Sequence, residues 1–366
     1  MKAAFSILAI TSLLLSSCTL EKISEEEDNY TNLSVSGTAN CYVVSQKGDY
    51  KFLTVKGNGN KSVGAISHAE VLWESFGTDV APNTGDPIKN VSYSAGKIKF
   101  QTADTYKEGN AAIAAKDASG NILWSWHIWF TDQPEEHVYF NNAGTMMDRN
   151  LGATSATPGD VGALGLLYQW GRKDPFPGFA SINEDKIAAT TITWPKLVTS
   201  NADNGTIEFA TANPTTFITK GSNPDWLYTQ PAETETRRWT VSDMAKSIYD
   251  PCPVGWRIPD GGETNGIWAK ALSSLKQTAD RVNCGIDFSG ALGNDPVIWY
   301  PAAGHRSSNW RGQYYYVGGM GYYWSASPYT YDSRYLYHML FEMSGSVTLY
   351  SSINAAYGLS VRCTKE

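Results

Sequence analysis

The chain reads as mainly β: a β-sandwich followed by a second, α+β domain with long loops. Three features of its 366 residues predict this. Charged residues make up only 18%, while 13 Trp and 21 Tyr are present, so the chain has the apolar surface to fold rather than stay disordered. Short β-rich runs separated by turn residues fill the first third. Beyond residue 136 the composition shifts to Gly, Trp and Tyr, with two stretches of helical period among many strand-like pieces.

In the first part, residues 50–56 are β-rich and partly alternating, and 97–101 alternate cleanly. Residues 110–116 and 122–130 flank the turn Asp117-Ala-Ser-Gly-Asn121 and predict a hairpin. In its second arm Trp124, Trp126, Ile128 and Phe130 share one face, and Leu123, Ser125, His127 and Trp129 share the other. One apolar and one mixed face predict a sandwich with a partly covered outer side, of immunoglobulin-like or fimbrillin-like type. Thr131-Asp-Gln-Pro-Glu-Glu136 is a charged, proline-containing break, so the sandwich is expected over 34–133 and the second domain over 134–366.

In the second part, Val241, Met244, Ala245 and Ile248 predict a helix over 240–248, and Ile267, Ala271, Leu272 and Leu275 one over 265–275. Strand-like pieces follow at 297–301, 313–317, 322–325, 335–343, 347–350 and 357–363. Long loops inside a compact domain carry function or packing of their own.

At the start, Lys2, an apolar run from Ala3 to Leu15 and Leu15-Ser-Ser-Cys18 form a secretory leader over 1–18. The cysteine directly after small residues resembles a bacterial lipoprotein signal, in which the thiol of Cys18 is lipidated after cleavage. Two or three acyl chains, at about 0.8 kcal/mol per buried methylene, hold a protein on a membrane without a spanning segment. Residues 19–33 are expected to be an acidic tether, with five acids against one lysine between Thr19 and Asp28. Acids behind a lipidated cysteine resemble the export signal of Bacteroides-type surface lipoproteins. The outer membrane, with the chain facing outward, is the expected location. The net charge of −7 and the lack of a basic stripe argue against nucleic-acid binding.

Four motifs stand out in the second part: MDRNLGA (147–153), LLYQWGRKDPFPG (166–178), YDPCPVGWRIP (249–259), and YYWSAS (322–327) with LSVRC (359–363). In this order they resemble the Fibrobacter succinogenes major paralogous domain, a family of secreted and lipid-anchored surface proteins, over residues 138–366. The resemblance implies a C-type-lectin-like fold with two helices, a small mixed sheet and a long loop region. The segment GNAAIAAKDASGNILWSWHIW (109–129) resembles the β-domain that precedes this module in Bacteroides lipoproteins. By themselves, the prolines and glycine of 251–259 define a turned path, with Trp256 as a core anchor and Arg257 ready to pair a carboxylate. Arg172, Lys173 and Asp174 suit either a ligand or, more commonly, a local ion pair holding a loop.

Beside Cys18 the chain has Cys41, Cys252, Cys284 and Cys363, and four cysteines allow three pairings. The lectin-like resemblance implies a Cys252–Cys363 disulfide; Cys41 and Cys284 lie in different domains, could pair only if these touch, and are expected to stay reduced and buried. No HxxxH or CxxC pair, phosphate loop or GxSxG elbow occurs, so no metal, cofactor or enzymatic activity is expected. The calcium-dependent sugar motifs of true C-type lectins are likewise missing from the second domain. Aromatic density is what remains: eleven Trp and Tyr residues fall between Trp310 and Tyr337. Trp324 is expected in the core. Trp310, Tyr314, Tyr315, Tyr316, Tyr329 and Tyr331 are expected to present rings to a glycan or a surface protein without calcium. The expected function is a non-catalytic surface adhesin or fimbria-associated lipoprotein with a lectin-like tip and fimbrial subunits as partners. The alternative is a glycan-binding lipoprotein of a polysaccharide-uptake system. Lipidation has a direct test: Cys18→Ala should move the protein from the detergent phase to the aqueous phase on detergent partitioning, and unchanged partitioning would reject the anchor.

Overall fold

The computed structural model describes residues 29–77, 80, 82–182, 196–229, 238–241, 245–272, 277–288 and 298–366. The leader, Cys18 and the acidic run to Asp28 lie outside them. Strands hold 40% of the described residues and helices 5%, so the protein is mainly β.

The first part forms two facing four-stranded sheets. One has the order Thr31–Asn32, Asp49–Leu53, Lys97–Thr102, Ile88–Ser94, and the other Cys41–Val44, Ile122–Phe130, Gly109–Lys116, His68–Ser75. The predicted hairpin pairs Ile113 with Trp126 and Ala115 with Trp124, so small or slim residues stand opposite the indoles. Its turn closes on Asp117, whose carboxylate accepts from the backbone N–H groups of Ser119 (2.8 Å) and Asn121 (2.9 Å). Phe52, Ile98 and Phe100 from one sheet meet Ile113, Trp124, Trp126 and Phe130 from the other, with Phe52 and Trp126 centroids 5.2 Å apart. Thr31–Asn32, within the stretch expected to be tether, instead form an edge strand of this sheet, pairing in parallel with Tyr50–Lys51.

The outer face of the Ile122–Phe130 strand is not partly covered as expected. Ser125, His127 and Trp129 are all buried, because the second part packs on them. Trp129 donates to Ala153 O at 2.9 Å and joins the core of the second part. Asn110 bonds His127 at 2.9 Å and donates to Gly152 O at 2.9 Å. Asn40 donates to Ile248 O and Asp250 O, and Asn58 to Ser247 O and Asp250 O.

The second part is organised by a seven-stranded sheet. Its main path runs Tyr314–Tyr315, His305–Arg306, Gly358–Ser360, Met320–Pro328, Tyr335–Glu342, Val347–Asn354, with Leu167–Gln169 joined to Gly358–Ser360. Both faces are covered. Tyr322 and Trp324 enter a core with Trp170, Trp226 and Trp239, while Tyr323, Met339 and Phe341 enter another with Trp268, Phe288 and Tyr300. Alternation therefore does not force either consecutive tyrosine into solvent.

Two helices occur among the described residues, Ile207–Ala212 and Ile267–Leu272. The second lies inside the expected 265–275 helix. The expected 240–248 helix is replaced by an antiparallel bridge between Thr240 and Lys246, with Ser247 N donating to Trp239 O; residues 242–244 lie outside the described set. Val241 and Ala245 are exposed, so the helical spacing marks no buried face here, and Trp239 supplies the buried ring of this segment. Trp256 is only half buried: it pairs with Lys365 at the rim of the core rather than anchoring its centre. Arg257 pairs Asp260 through two bonds of 2.9 Å.

Cys252 and Cys363 form a disulfide with α-carbons 6.1 Å apart, and both are fully buried. Cys41 and Cys284 are buried and reduced. The bridge closes a separation of 111 residues, for which the chain-entropy model gives about 4–5 kcal/mol as an upper value. A Cys252→Ala/Cys363→Ala double variant should lose most of that in denaturant unfolding, with a higher m-value because the unfolded chain is no longer cross-linked; a loss under about 1 kcal/mol would show that the surrounding core holds the ends together.

Candidate ligand-binding site

The expected aromatic residues divide into two groups. The first surrounds the loop between the His305–Arg306 and Tyr314–Tyr315 strands. Ser307 builds that loop: its Oγ accepts from the backbone N–H groups of Asn309 and Trp310, both at 3.2 Å, and its carbonyl accepts from Gly312 at 2.9 Å. Gly312 has φ +68°, and a β-carbon there would lie 2.9 Å from Leu197, so glycine is required. Trp310 is held outward, 64% exposed.

Arg311 (φ 49°) and Tyr316 (φ 61°) both adopt left-handed backbone in this short stretch. That conformation is unfavourable for a bulky aromatic residue and persists only where the surroundings enforce it. Here Gly319 N and Met320 N both donate to Tyr316 O, closing a turn that displays the ring, 51% exposed. Two left-handed residues thus lie in the same stretch as two exposed rings.

Beneath the rings lies His305. Its imidazole is buried and stacked on Tyr315 (6.1 Å), with Tyr316 (5.7 Å), Tyr322 (4.8 Å) and Tyr357 (5.0 Å) around it. Its Nδ1 makes no hydrogen bond. Burial lowers its pKa to about 4, so the ring is neutral at physiological pH. Tyr322 also stacks on His338 (5.9 Å), which burial lowers to about 3. Asn309 donates to the Tyr357 hydroxyl at 2.8 Å and ties the loop to this cluster. Tyr315 and Tyr357 are half buried, so each keeps part of a ring face toward solvent.

Tyr314 is not a free ring. Its hydroxyl donates to Pro177 O at 2.7 Å, Phe179 packs edge-on at 5.4 Å, and the Arg306 guanidinium lies 5.2 Å away. Tyr329 and Tyr331 form the second group, with Tyr329 between Tyr331 (5.4 Å) and Tyr337 (5.1 Å). Tyr331 is 78% exposed. No ring contact joins the two groups among the described residues, so six residues that look continuous in sequence make two surfaces.

Arg172, Lys173 and Asp174 face no ligand. All are buried. Lys173 Nζ donates to Ser125 O (3.0 Å), Ser125 Oγ (2.6 Å) and Asp174 (2.6 Å), and Ser125 Oγ donates to Asp174 at 2.5 Å. This network joins the second part to the sandwich. A shallow surface dent beside it, with room for no more than a water-sized group, is lined by Trp226, Tyr249, Thr211 and the aliphatic Ile207. No group of three or more His, Cys, Asp or Glu side chains able to hold a metal occurs among the described residues.

Sequence reasoning missed His305 and Tyr357. Only the tertiary fold brings the Gly358–Ser360 strand beside His305–Arg306, and no local signal announces it. The chain matches no known protein family, no curated protein and no solved structure.

The buried histidines make a pH prediction. His305 is neutral in the native state but titrates near 6.5 when unfolded, so the unfolded chain binds more protons below that pH. The stability due to His305 is complete above about pH 6.5 and falls as the pH drops toward 4, by up to about 3 kcal/mol. His305→Phe should flatten this dependence of Tm between pH 7 and pH 4.5. An unchanged slope would remove His305 from the account.

Proposed function

We propose that the protein is a non-catalytic lipoprotein of the outer cell surface, anchored through Cys18, that binds a glycan through the face formed by Trp310, Tyr315, Tyr316 and Tyr357. The observation that carries this reading is the exposure of Trp310 and of Tyr316, the latter in left-handed backbone with its ring on the His305 cluster. Sugar rings offer apolar C–H faces to flat aromatic surfaces, while their hydroxyls need polar partners at the edge. Asn309 and Gln313 are exposed beside these rings and supply such partners. The leader ending at Cys18 and the acidic run behind it support the surface location, and the motifs between residues 147 and 363 support a lectin-like adhesin.

A ring lost from a stacking site should cost about 0.5–1.5 kcal/mol beyond its area. Trp310→Ala/Tyr316→Ala should therefore weaken glycan affinity by roughly tenfold or more, about 1.4 kcal/mol, with Tm within a few degrees of wild type. Tyr314→Ala, which removes a packed ring and its bond to Pro177, should lower Tm clearly. A glycan array followed by calorimetry on the best ligand tests both, and an unaltered affinity of the double variant would reject this face.

A further inference from the structure

We infer that the Trp310 loop carries an anion-binding subsite built on Arg306 and Arg311, so that the glycan it takes is acidic, bearing carboxylate or sulfate groups. The inference rests on the glycan reading above and adds the ligand's chemical class to it.

Five arginines are buried among the described residues, and their partners differ. Arg149 is held by Asp148 and Asp132. Arg238 pairs Asp225 at 3.1 and 2.6 Å. Arg172 donates to Gln169 Oε1 and to the carbonyls of Thr216, Ala210 and Asn213. Arg362 donates to Asn150 Oδ1 and Trp299 O. Arg306 has one acceptor, Gly312 O, which takes its Nε–H at 2.8 Å. Its Nη1 is buried without a partner, and no carboxylate pairs it among the described residues. The guanidinium lies between Phe217 (5.1 Å) and Tyr314 (5.2 Å), which hold it in place without neutralising it. A buried cation with no counter-charge is costly, and a bound anion would remove the cost.

The surroundings favour an anion too. Asp and Glu number 36 in the chain, yet none occurs between Asp295 and Asp332 or between Glu342 and Glu366. These segments supply the aromatic face. Arg311 is exposed and sits in left-handed backbone directly before Gly312, the residue whose carbonyl holds Arg306. It has no ion-pair partner among the described residues. One buried guanidinium, one exposed arginine and the exposed Trp310 ring thus belong to a single turn. A guanidinium fork matches the two oxygens of a carboxylate or sulfate. A sugar carrying that group would lay its ring on the indole.

The test titrates the intact chain with a hyaluronan hexasaccharide (carboxylate), a chondroitin sulfate hexasaccharide (carboxylate and sulfate), neutral chitohexaose and a hexaglutamate peptide. The acidic sugars should bind at least tenfold tighter than chitohexaose, and raising salt from roughly 50 to 300 mM should erode that preference. A hyaluronan affinity equal to that for chondroitin sulfate assigns the subsite to carboxylate, and a tenfold gain with the latter assigns it to sulfate. Arg311→Ala should weaken the acidic sugars about tenfold and leave chitohexaose unchanged. Arg306→Met should abolish the preference; it also leaves Gly312 O without its donor, so a modest fall in Tm accompanies it and the lost preference is the deciding readout. Equal binding of acidic and neutral sugars, or no effect of Arg311→Ala, would overturn the subsite and leave the glycan reading standing. Binding of hexaglutamate alone would overturn the glycan reading and make the ligand an acidic peptide. Binding of none of the four would overturn both. A large fall in Tm for Arg306→Met would make Arg306 a structural residue and overturn its role here.

Discussion

The structure depends on a buried, irregular segment whose carbonyls are satisfied by indoles. Residues 167–174 run through the interior of the second part, where only 167–169 belong to a sheet. Trp324 donates to Tyr168 O at 2.7 Å, Trp226 to Trp170 O at 2.8 Å, and Trp239 to Arg172 O at 3.0 Å. Trp170 returns the same service to Ser325 O at 2.9 Å. An unsatisfied buried carbonyl costs about 1–3 kcal/mol, so each indole contributes both a large apolar surface and the one donor its neighbour needs. This arrangement accounts for four of the 13 tryptophans, all almost fully buried.

The same segment ends in the contact that joins the two halves. Lys173 leaves the indole-lined path, lies 4.6 Å above the Trp124 ring, and shares Ser125 and Asp174 with the sandwich. Burial pushes its pKa down while the Asp174 carboxylate opposes that push. Breaking such a network leaves a buried charge alone, so the halves are held by a penalty against separation as much as by attraction. Trp129 extends the second part's core into the sandwich, and Asn40, Asn58 and Asn110 bond across the junction to backbone carbonyls. The aromatic site thus stands on a rigid base.

That rigidity matters for the site. Rings on a mobile loop lose conformational freedom on binding, whereas Trp310 and Tyr316 are already placed by Ser307, by the turn closing on Tyr316 and by Asn309. The neutral His305 lets four tyrosines approach one another without burying a charge among them. The charge buried nearby, Arg306, has no carboxylate to meet it and a single acceptor, Gly312 O, where Arg172 and Arg362, also without carboxylates, are met by several neutral oxygens.

By itself the sequence determined the β character, the 122–130 hairpin arm with its Trp124–Trp126 face, and the aromatic richness of the stretch from Trp310 to Tyr337. These follow from local periodicity and turn chemistry, which act over a few residues. The Cys252–Cys363 bridge became legible only through motif resemblance, because four cysteines leave three pairings open. Tertiary structure alone decided which aromatic rings are displayed. Tyr314 and Tyr315 are neighbours on one strand, yet Pro177 and Phe179 from a distant loop cover the first and leave part of the second to solvent. It also decided that Tyr322 and Tyr323 are both buried, since that needs two separate cores on opposite faces of one sheet. Alternation tells which residues share a face, but what covers each face comes from residues far away in the chain, and no local pattern encodes that contact.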